Sequence, residues 1–578
     1  MSHPTEASQS PIRPTDRAFA SRRAFAARGP FRLHALESCC AYRIVRLVAT
    51  ALIVGSGPAA ASVATALSHR SDLAITVLDA GLRLEPDRQD LVDVLSSSDS
   101  TRWDDELVEI IAEQPVQSRG RGLPQKRAYG SDFPFRDVGQ LGGVTPADNA
   151  NRSMISAAYG GFSNVWGAQV MPFAASVFET WPVSASEMRP HYERVLNEIP
   201  FAAEEDDLAD LFPLIGRPAP LPEVSERTRR VLDGYARHRP ALNDLGMTLG
   251  KARLALDAPQ CVRCGLCMTG CPYSLIYSAS QTFDKLRRAD RVTYLDGLLG
   301  VEVGEDNDGP FVTAEELATG HRQRFRADRI FVACGAVGTT RLVLNSLRLF
   351  DVDVAMGESQ QFLLPMLSLR ATLDPRDQAQ FTLNQFNMTV ALDAQGYDLA
   401  QLHFYTYNAA FVDALPRFLR GRLAGPMRNQ LLRRLSVSFG YLPSWRSPAI
   451  VLRARPPVGN DALPELQLSG SPAPRGRRQM LRTVMTRMLL AAPRLDLYPL
   501  LPLLRLSGPG KSYHVGGSFP HASRPRSTFS SDRVGRVGAW KRIHLVDGSV
   551  FPSVPATTFT LTVMANAHRI GSEIVHSS

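Results

Sequence analysis

The chain has 578 residues, of which 44% are hydrophobic and 21% are charged, so it can bury a large core and is not an intrinsically disordered protein. Its formal net charge is +9, but residues 1–48 carry eight Arg against three acidic residues, which leaves the rest of the chain an excess of only four positive charges. Since no nucleic-acid-binding module accompanies this charge, we expect no nucleic-acid partner.

The first part of the chain, residues 1–45, is rich in Arg, Ser, Pro and Ala and has no periodic apolar face, which predicts a flexible leader. The pair Arg22-Arg23 resembles part of a twin-arginine export signal, but charged residues follow where a long apolar stretch is needed. Four of the seven cysteines lie within residues 261–271, which argues for a reducing compartment rather than a disulfide scaffold. We therefore expect a cytoplasmic protein.

A short apolar run, residues 50–54, leads into a Gly-rich turn and an Ala-rich stretch that extends to residue 67. This pattern predicts a buried parallel strand, a tight turn and a helix. Gly55 permits the turn, Gly57 lets the backbone approach a pyrophosphate, and the small Ala60 lets the helix pack close to the strand. Residues 47–67 also lack charge over the length of a membrane span, but the glycines in their middle favour the strand and helix.

A second apolar run, residues 74–78, ends on Asp79, which is placed to accept a hydrogen bond from a ribose hydroxyl. The spacing from Gly55 to Asp79 fits one βαβ unit, so we predict dinucleotide binding. Because NAD and FAD both carry this ribose, the unit alone does not choose between them. A later strand, turn and helix start, with Gly335 in the turn, is typical of flavoproteins and favours FAD.

A cysteine motif with the spacing of a bacterial ferredoxin lies between these two units. It consists of Cys261, Cys264, Cys267 and Cys271, followed by Pro272. In ferredoxins the cysteine before the proline binds a different cluster, so the fourth ligand here would be that cysteine folded back, or Cys39 or Cys40. A 4Fe-4S cluster, a zinc site, redox-active thiols and no metal are the alternatives.

Two later segments bear on the substrate. Residues 416–435 contain six Arg and no acidic residue, interleaved with Leu and Phe, which is typical of a membrane-surface segment or of a solvated face above the core. Pro426 is expected to break any continuous helix there. The Leu- and Pro-rich residues 495–506 either wall an apolar pocket or pack in the core. If both functional interpretations hold, the substrate is lipophilic and the protein contacts a membrane peripherally.

Segments spread along the chain together resemble a known enzyme family. They are the Gly55 turn, Gly160-Gly161-Phe162-Ser163-Asn164-Val165-Trp166-Gly167, Trp181-Pro182, Pro190-His191-Tyr192, residues 334–341, His514-Val515-Gly516-Gly517-Ser518, residues 546–553 and residues 560–565. This combination resembles the glucose-methanol-choline (GMC) oxidoreductases, least so in residues 350–505. The resemblance implies an α/β protein in which a Rossmann-like FAD-binding domain with a mostly parallel sheet is interwoven with an α+β substrate domain built on an antiparallel sheet.

The resemblance also implies a division of the chain. The expected segments are a leader over 1–45, FAD-binding segments over 46–170, 256–350 with the cysteine motif and 506–578 with the catalytic His, a substrate or cap segment over 171–255, and a substrate domain over 351–505.

The implied cofactor is non-covalent FAD, because the segment at residues 160–167 contains no His through which some family members attach it. The implied FAD-binding residues are Gly55, Gly57, Ala60, Asp79, Gly161, Ser163, Asn164, Gly335, Asp547 and Thr558. A helix that begins near Thr558 would direct its positive end at the flavin ring.

His514 matches the family's catalytic histidine, which takes the alcohol proton while hydride passes to flavin N5, a task suited to a pKa near neutrality. His521 and His544 are weaker candidates. The family's second active-site residue, usually Asn or His, aligns with Thr558, and Phe559 replaces the Pro that follows it. Threonine can hydrogen-bond a substrate oxygen but is no base at neutral pH, which weakens the case for an ordinary primary alcohol or a sugar.

We therefore predict an FAD-dependent oxidoreductase acting on a CH-OH group of an alcohol, sugar or lipophilic substrate. A cluster beside the flavin would carry electrons away singly, which favours a dehydrogenase that passes them to a non-oxygen acceptor such as a protein or a quinone. The alternatives are an oxidase that forms hydrogen peroxide and an electron-transfer flavoprotein subunit without alcohol chemistry of its own.

Overall fold

A computed structural model describes residues 49–113, 126–136, 144–146, 151, 154–375, 379, 381–405, 424–457 and 463–576. The helices in these ranges are α1 (Pro58–Ser68), α2 (Pro86–Ser96), α3 (Asp105–Ala112), α4 (Ala185–Glu198), α5 (Glu226–Asn243), α6 (Ala279–Arg288), α7 (Ala336–Ser346), α8 (Gly425–Leu432), α9 (Arg477–Leu495) and α10 (Thr560–His576).

The first ten strands in chain order are β1 (Ala49–Val54), β2 (Leu73–Leu78), β3 (Val144–Pro146), β4 (Met247–Lys251), β5 (Thr293–Leu295), β6 (Leu298–Asp306), β7 (Gly309–Glu316), β8 (Arg322–Arg326), β9 (Arg329–Val332) and β10 (Asp353–Glu358). They are followed by β11 (Gln361–Leu367), β12 (Phe386–Ala391), β13 (Leu399–Tyr405), β14 (Leu435–Tyr441), β15 (Ile450–Ala454), β16 (Leu466–Gly470), β17 (Tyr498–Pro499), β18 (Arg505–Leu506), β19 (Val515–Gly516) and β20 (Ile543–Leu545).

A parallel sheet with the strand order β20-β9-β1-β2-β5 forms the nucleotide-binding part of the fold. The inner end of β1 is fully buried, as expected for a strand covered on both faces. Helix α1 packs closely against α10, where a Cβ on Gly571 would stand 3.0 Å from Val63 and 3.1 Å from Ala66. Residues 50–67 therefore form the predicted strand, turn and helix rather than a membrane span.

The antiparallel part centres on a sheet with the order β17-β11-β14-β13-β12-β4, in which β18 also pairs with β11. A second sheet, β19-β10-β15-β16-β3, is antiparallel except for the β16–β3 pair, and β6-β7-β8 form a third. Helices α5 and α9 pack on the central sheet and share an apolar core with it. The predicted fold class, a parallel sheet combined with separate antiparallel sheets, is confirmed; the exact segment boundaries stay a prediction.

The basic segment of residues 416–435 is described from residue 424 onward. Pro426 occupies the first turn of α8, where the missing N–H has no helical partner to lose. A helix therefore begins beside Pro426 and does not run through it from residue 424, in keeping with the expectation that this proline breaks a continuous helix. The arginines before residue 424 lie outside the described residues, and peripheral membrane contact stays a prediction. No helix in the described ranges is both long enough and apolar enough to cross a bilayer.

Two histidines that join α4 and α10 give the fold an acid-sensitive contact. The Nδ1 atoms of His191 and His568 lie 3.0 Å apart, and burial lowers the pKa of each histidine to about 4. In the unfolded chain histidine titrates near pH 6.5, so the unfolded state takes up protons first as the pH falls. Stability from this pair is complete above about pH 6.5 and is lost as the pH falls towards 4. We expect the free energy of unfolding to drop by about 1–2 kcal/mol per histidine between pH 7 and pH 4.5.

Urea unfolding at several pH values measures this drop. The double variant His191→Gln/His568→Gln lacks both titrating groups and should show a shallower decline than the unchanged protein. Equal declines in the two proteins would contradict the assignment, because the remaining buried histidines are common to both.

Candidate active site

A cavity of about 1110 Å³ opens along one edge of the parallel sheet. Its walls include the residues that follow β1, β2, β9 and β20, so it lies at the carboxyl ends of these parallel strands. From there it extends over one face of β11 and β14 in the antiparallel sheet. The carboxyl edge of a parallel sheet is where α/β proteins bind nucleotides.

The Gly-rich turn after β1 is shaped to receive a ligand. Gly55 has φ +101°, and a Cβ there would stand 2.6 Å from the Ala333 carbonyl oxygen, so only glycine fits. At Gly57 a Cβ would meet no atom within 4 Å, which leaves this backbone open to the cavity. Helix α1 starts at the next residue with no side-chain cap and no acidic residue in its first turn, so its N-terminus suits an anion. Ala60 is fully buried in the core and does not line the cavity.

Asp79 follows β2 on the cavity wall, as predicted. Its Oδ2 accepts hydrogen bonds from Ser56 Oγ at 2.5 Å and from the Tyr294 hydroxyl at 2.7 Å, and burial raises its pKa to about 6. Ser56 Oγ also accepts a hydrogen bond from the Gly160 N–H at 2.9 Å. Ser56 thus connects the acid to the glycine loop that faces it, a role that the sequence pattern did not indicate.

If the FAD that the sequence predicts occupies this edge, Asp79→Asn should weaken its binding by about tenfold to a hundredfold, because a hydrogen bond to a charged acceptor contributes roughly 1.5–3 kcal/mol. Fluorescence titration of flavin-free protein with FAD at pH 8, where the carboxyl group is ionised, measures the change. The matched control is Asp90→Asn, which alters an exposed acid on α2. Equal affinity of both variants for FAD would show that Asp79 does not contact the cofactor.

The glycine loop at residues 160–167 places two of its three predicted residues on the cavity. Gly161 and Ser163 line it, and Ser163 Oγ accepts a hydrogen bond from the Ala279 N–H at 2.9 Å. Asn164 is not among the lining residues; its Nδ2 donates to the Tyr159 carbonyl at 3.0 Å and to the Gly161 carbonyl at 2.7 Å. Asn164 therefore holds the loop in shape.

The turns after β9 and β20 complete the cavity wall at the carboxyl ends of the parallel strands, which we call the nucleotide edge. Gly335 has φ +77° and open space around a Cβ, and it precedes the N-terminus of α7. Asp547 is buried on the cavity wall, accepts hydrogen bonds from Thr339 Oγ1 at 2.5 Å and the Ser549 N–H at 2.9 Å, and burial raises its pKa. Both predicted residues therefore meet at one edge.

His514 lies at the point where the nucleotide edge meets the antiparallel sheet. Its ring stacks on that of Tyr441, with ring centroids 4.8 Å apart and ring planes at 19°. The centroid of the Phe559 ring lies 5.1 Å from that of His514. Its Nδ1 is buried and makes no hydrogen bond to any described residue. Burial lowers the pKa of His514 to about 4, well below the near-neutral value expected from the sequence, so the imidazole is neutral at pH 7.

The two weaker histidine candidates do not line the cavity. His521 Nδ1 lies 2.6 Å from the Asp532 carbonyl and its Nε2 lies 3.2 Å from Asn566 Nδ2. His544 Nδ1 lies 2.9 Å from the Val534 carbonyl. Both therefore have structural partners, and among the three histidines only His514 faces the cavity.

Thr558 stands beside the cavity rather than on its wall. The lining includes the next two residues, Phe559 and Thr560, at the start of α10. Thr558 is 6% exposed, and its Oγ1 is buried without a hydrogen-bond partner among the described residues.

Sequence reasoning missed two polar residues next to His514. Tyr441 and Gln361 are cross-strand neighbours on β14 and β11, both line the cavity, and Gln361 Nε2 donates to the Tyr441 hydroxyl at 3.0 Å. Burial raises the pKa of Tyr441 to about 12, so the phenol keeps its proton and can donate a hydrogen bond. No local sequence signal could have found a pair 80 residues apart.

The structure does not confirm a cluster site at the cysteine motif. Among the described residues, no three His, Cys, Asp or Glu side chains are arranged to hold a metal ion. Cys264 packs with the apolar contacts of α2 and α3, Cys261 packs on the main core, and Cys267 Sγ accepts from the Thr382 N–H at 3.4 Å. Burial raises the pKa values of Cys261 to about 11 and of Cys264 to about 12, and it also raises that of Cys271. Cys39 and Cys40 lie outside the described residues.

Comparison with known proteins matches the fold but not the sequence. No protein-family model and no curated protein matches the chain. Pyridoxine 4-oxidase from Mesorbium loti is 15% identical, with a TM-score of 0.56 over 91% of this chain and 99% of its own. A formate oxidase is 12% identical, with a TM-score of 0.57 over 92% of this chain and 98% of its own. A variant of the Aspergillus oryzae RIB40 formate oxidase, studied for FAD modification, is 12% identical, with a TM-score of 0.56 over 92% and 98% of the two chains. The chain therefore has the fold of these enzymes along nearly its whole length.

Proposed function

We propose that this protein is an FAD-dependent oxidoreductase that oxidises a CH-OH group, with His514 as the base. One observation carries the proposal: the neutral imidazole of His514, whose buried Nδ1 has no hydrogen-bond partner among the described residues, lies in a cavity that begins at a nucleotide-binding edge. A buried polar atom that lacks a partner in the protein indicates a ligand that supplies one.

The residues along the edge fit FAD. The open backbone at Gly57 and the uncapped N-terminus of α1 would hold the pyrophosphate, and Asp79 would hold the ribose. Gly161 and the start of α10 at Thr560 would border the flavin ring, with the positive end of the helix towards it. When bound, FAD supplies the acceptor for a hydride from the alcohol carbon.

His514 is suited to remove the hydroxyl proton. Being neutral above about pH 4, it can accept a proton at physiological pH, and its packing between Tyr441 and Phe559 fixes the ring orientation. The Tyr441 phenol, held by Gln361, can donate a hydrogen bond to the substrate oxygen. The alcohol loses its O–H proton to His514 and a hydride from carbon, so the product is an aldehyde or a ketone.

The electron acceptor separates two versions of this function. The sequence favoured a non-oxygen acceptor because a cluster at the cysteine motif would carry electrons away singly, and that cluster is not confirmed. An oxidase is the second candidate, because both of the compared enzymes are named as oxidases. The two versions share the cavity and His514.

Anaerobic mixing of the yellow protein with candidate alcohols tests the proposal. Loss of the visible flavin absorbance is expected with a true substrate. Admission of air then separates the versions: stoichiometric peroxide indicates an oxidase, and slow reoxidation that a quinone or dye accelerates indicates a dehydrogenase. Protein purified without flavin and unable to bind it would contradict the proposal.

A further inference from the structure

We infer that the substrate is an alcohol whose hydroxyl group sits at the end of a long, unbranched apolar tail. This inference rests on the proposed function and names the substrate class of the same site. It follows from the part of the cavity that lies beyond His514.

One face of a strand pair forms the wall of this part. On β14 the lining residues are Leu435, Val437, Phe439 and Tyr441, and on β11 they are Gln361, Leu363 and Pro365. These residues alternate along each strand, so they share one face of the sheet. They are also cross-strand neighbours: Tyr441 faces Gln361, Phe439 faces Leu363, and Val437 faces Pro365. We call this row of side chains the apolar stripe.

The other face of the same strands belongs to the protein core. Phe362, Leu364 and Met366 on β11 are at most 1% exposed and pack in the core beneath α5 and α9. Leu363 and Phe439 on the stripe are only partly buried, although they lie in the interior of a sheet. Apolar side chains that stay exposed to a cavity favour an apolar ligand, since covering them removes apolar surface from water.

A loop borders the stripe along the outer side of β11. Strands β17 and β18 both pair with β11, and the loop connects them. Two residues of this loop, Leu500 and Leu503, lie on the cavity wall. The Leu500 N–H donates to the Pro365 carbonyl at 2.9 Å, which fixes the loop to the middle of the stripe. The sequence-based expectation that this Leu- and Pro-rich segment walls an apolar pocket is confirmed for these two residues. Arg505 at the edge of the lining is exposed, so its charge is solvated.

The stripe is long enough for an extended tail. Tyr441 stacks on His514 and marks the inner end, and Leu435 marks the outer end six residues away. At about 3.3 Å per residue the stripe spans roughly 20 Å. A fully extended chain advances roughly 3.8 Å per three bonds, so the stripe matches a tail of about sixteen carbons.

The polar groups of the stripe argue against a sugar. Hydrogen-bonding side chains occur only at the inner end, where Gln361 and Tyr441 stand beside His514, and the remaining members are Leu, Pro, Val and Phe. One hydroxyl group next to His514 finds partners there. Further hydroxyl groups of a sugar would lose their water against apolar side chains without replacement, which costs roughly 1–3 kcal/mol for each.

Turnover of the linear alcohols from butan-1-ol to icosan-1-ol, each below its solubility limit, tests the inference on the flavin-loaded enzyme. We expect kcat/KM to rise by about fourfold for each added methylene, the equivalent of about 0.8 kcal/mol, and to level off at about sixteen carbons. A sugar alcohol of similar mass should be at least a hundredfold poorer than the best linear alcohol. A flat dependence on chain length, or a preference for the sugar alcohol, would overturn the inference while leaving the proposed function standing.

Two variants of the stripe test whether the tail lies along it. Val437→Phe and Leu435→Phe each add bulk to the stripe, two residues or about 7 Å apart. The chain length at which kcat/KM levels off should be about five carbons shorter for Val437→Phe than for Leu435→Phe. Leu489→Phe, on an exposed position of α9, is the control and should keep the unchanged profile. Identical profiles for both stripe variants and the control would overturn the assignment of the stripe.

A binding measurement separates failure of this inference from failure of the proposed function. Dodecan-1-ol should raise the melting temperature of the flavin-loaded protein more than butan-1-ol does at the same concentration. If this holds while no alcohol is turned over, the apolar tail is supported and the oxidation is not. If neither alcohol shifts the melting temperature, the inference is overturned.

Discussion

Replacing His514 by Ala is expected to lower kcat by about 10²–10⁴-fold while the protein stays yellow. The imidazole contributes to proton removal and does not belong to the part of the edge that would hold the pyrophosphate and ribose, so FAD content should persist. Stopped-flow measurement of flavin bleaching under anaerobic conditions with the best alcohol measures the loss directly. His321→Ala, at an exposed turn before β8, is the matched control.

The pH dependence provides a second readout for the same residue. Burial lowers the pKa of His514 to about 4, and the base form is the neutral one, so kcat/KM should be constant near neutrality and fall only as the pH drops through about 4. This acid limb should disappear from the residual activity of His514→Ala. If the activity of His514→Ala stays within tenfold of that of the unchanged protein, His514 is not the catalytic base. That result would favour an electron-transfer subunit without alcohol chemistry.

Replacing Gly57 by Val is expected to give a folded protein without flavin. Its backbone has φ −70°, which any residue adopts, and a Cβ there meets no atom within 4 Å, so the fold tolerates a side chain. The added isopropyl group would occupy the space where the pyrophosphate approaches the backbone, so FAD affinity should fall by about 100-fold or more. Flavin titration gives the affinity, and thermal melting of the flavin-free protein verifies the fold.

Gly55→Ala provides the contrast to this prediction. Its φ of +101° and the 2.6 Å approach to the Ala333 carbonyl oxygen mean that a methyl group there strains the turn itself. We expect a loss of roughly 1–3 kcal/mol in the stability of the flavin-free protein, which Gly57→Val should not show. If Gly57→Val binds FAD as tightly as the unchanged protein, the pyrophosphate does not lie at this turn.

The parts of the site that local sequence patterns encode were predictable. The βαβ unit is indicated by Gly55, Gly57 and Asp79, because the strand, the turn and the acid follow one another along the chain. His514 was found through a short motif around it. The pairing of Gln361 with Tyr441 was not predictable, since it depends on the register between strands that are distant in sequence.

The cysteine motif is a local sequence pattern whose predicted function the structure does not confirm. Its spacing specifies the order of four thiols along the chain but not the packing and hydrogen bonding of each thiol. In the structure Cys261 and Cys264 pack against different apolar cores, and Cys267 accepts a backbone hydrogen bond. The near-neutral pKa expected for His514 failed for a related reason, because burial depends on tertiary packing that the motif does not contain.

The alternation along β14 also restricts how this protein can diversify. Ser436 and Ser438 lie between the members of the apolar stripe and face the other way. Inserting one residue ahead of them would exchange the two faces of the strand, bring hydroxyl groups into the cavity and send Val437 and Phe439 into the core. Point substitutions can adjust tail length gradually, whereas a single insertion would convert an apolar channel into a polar one in one evolutionary step.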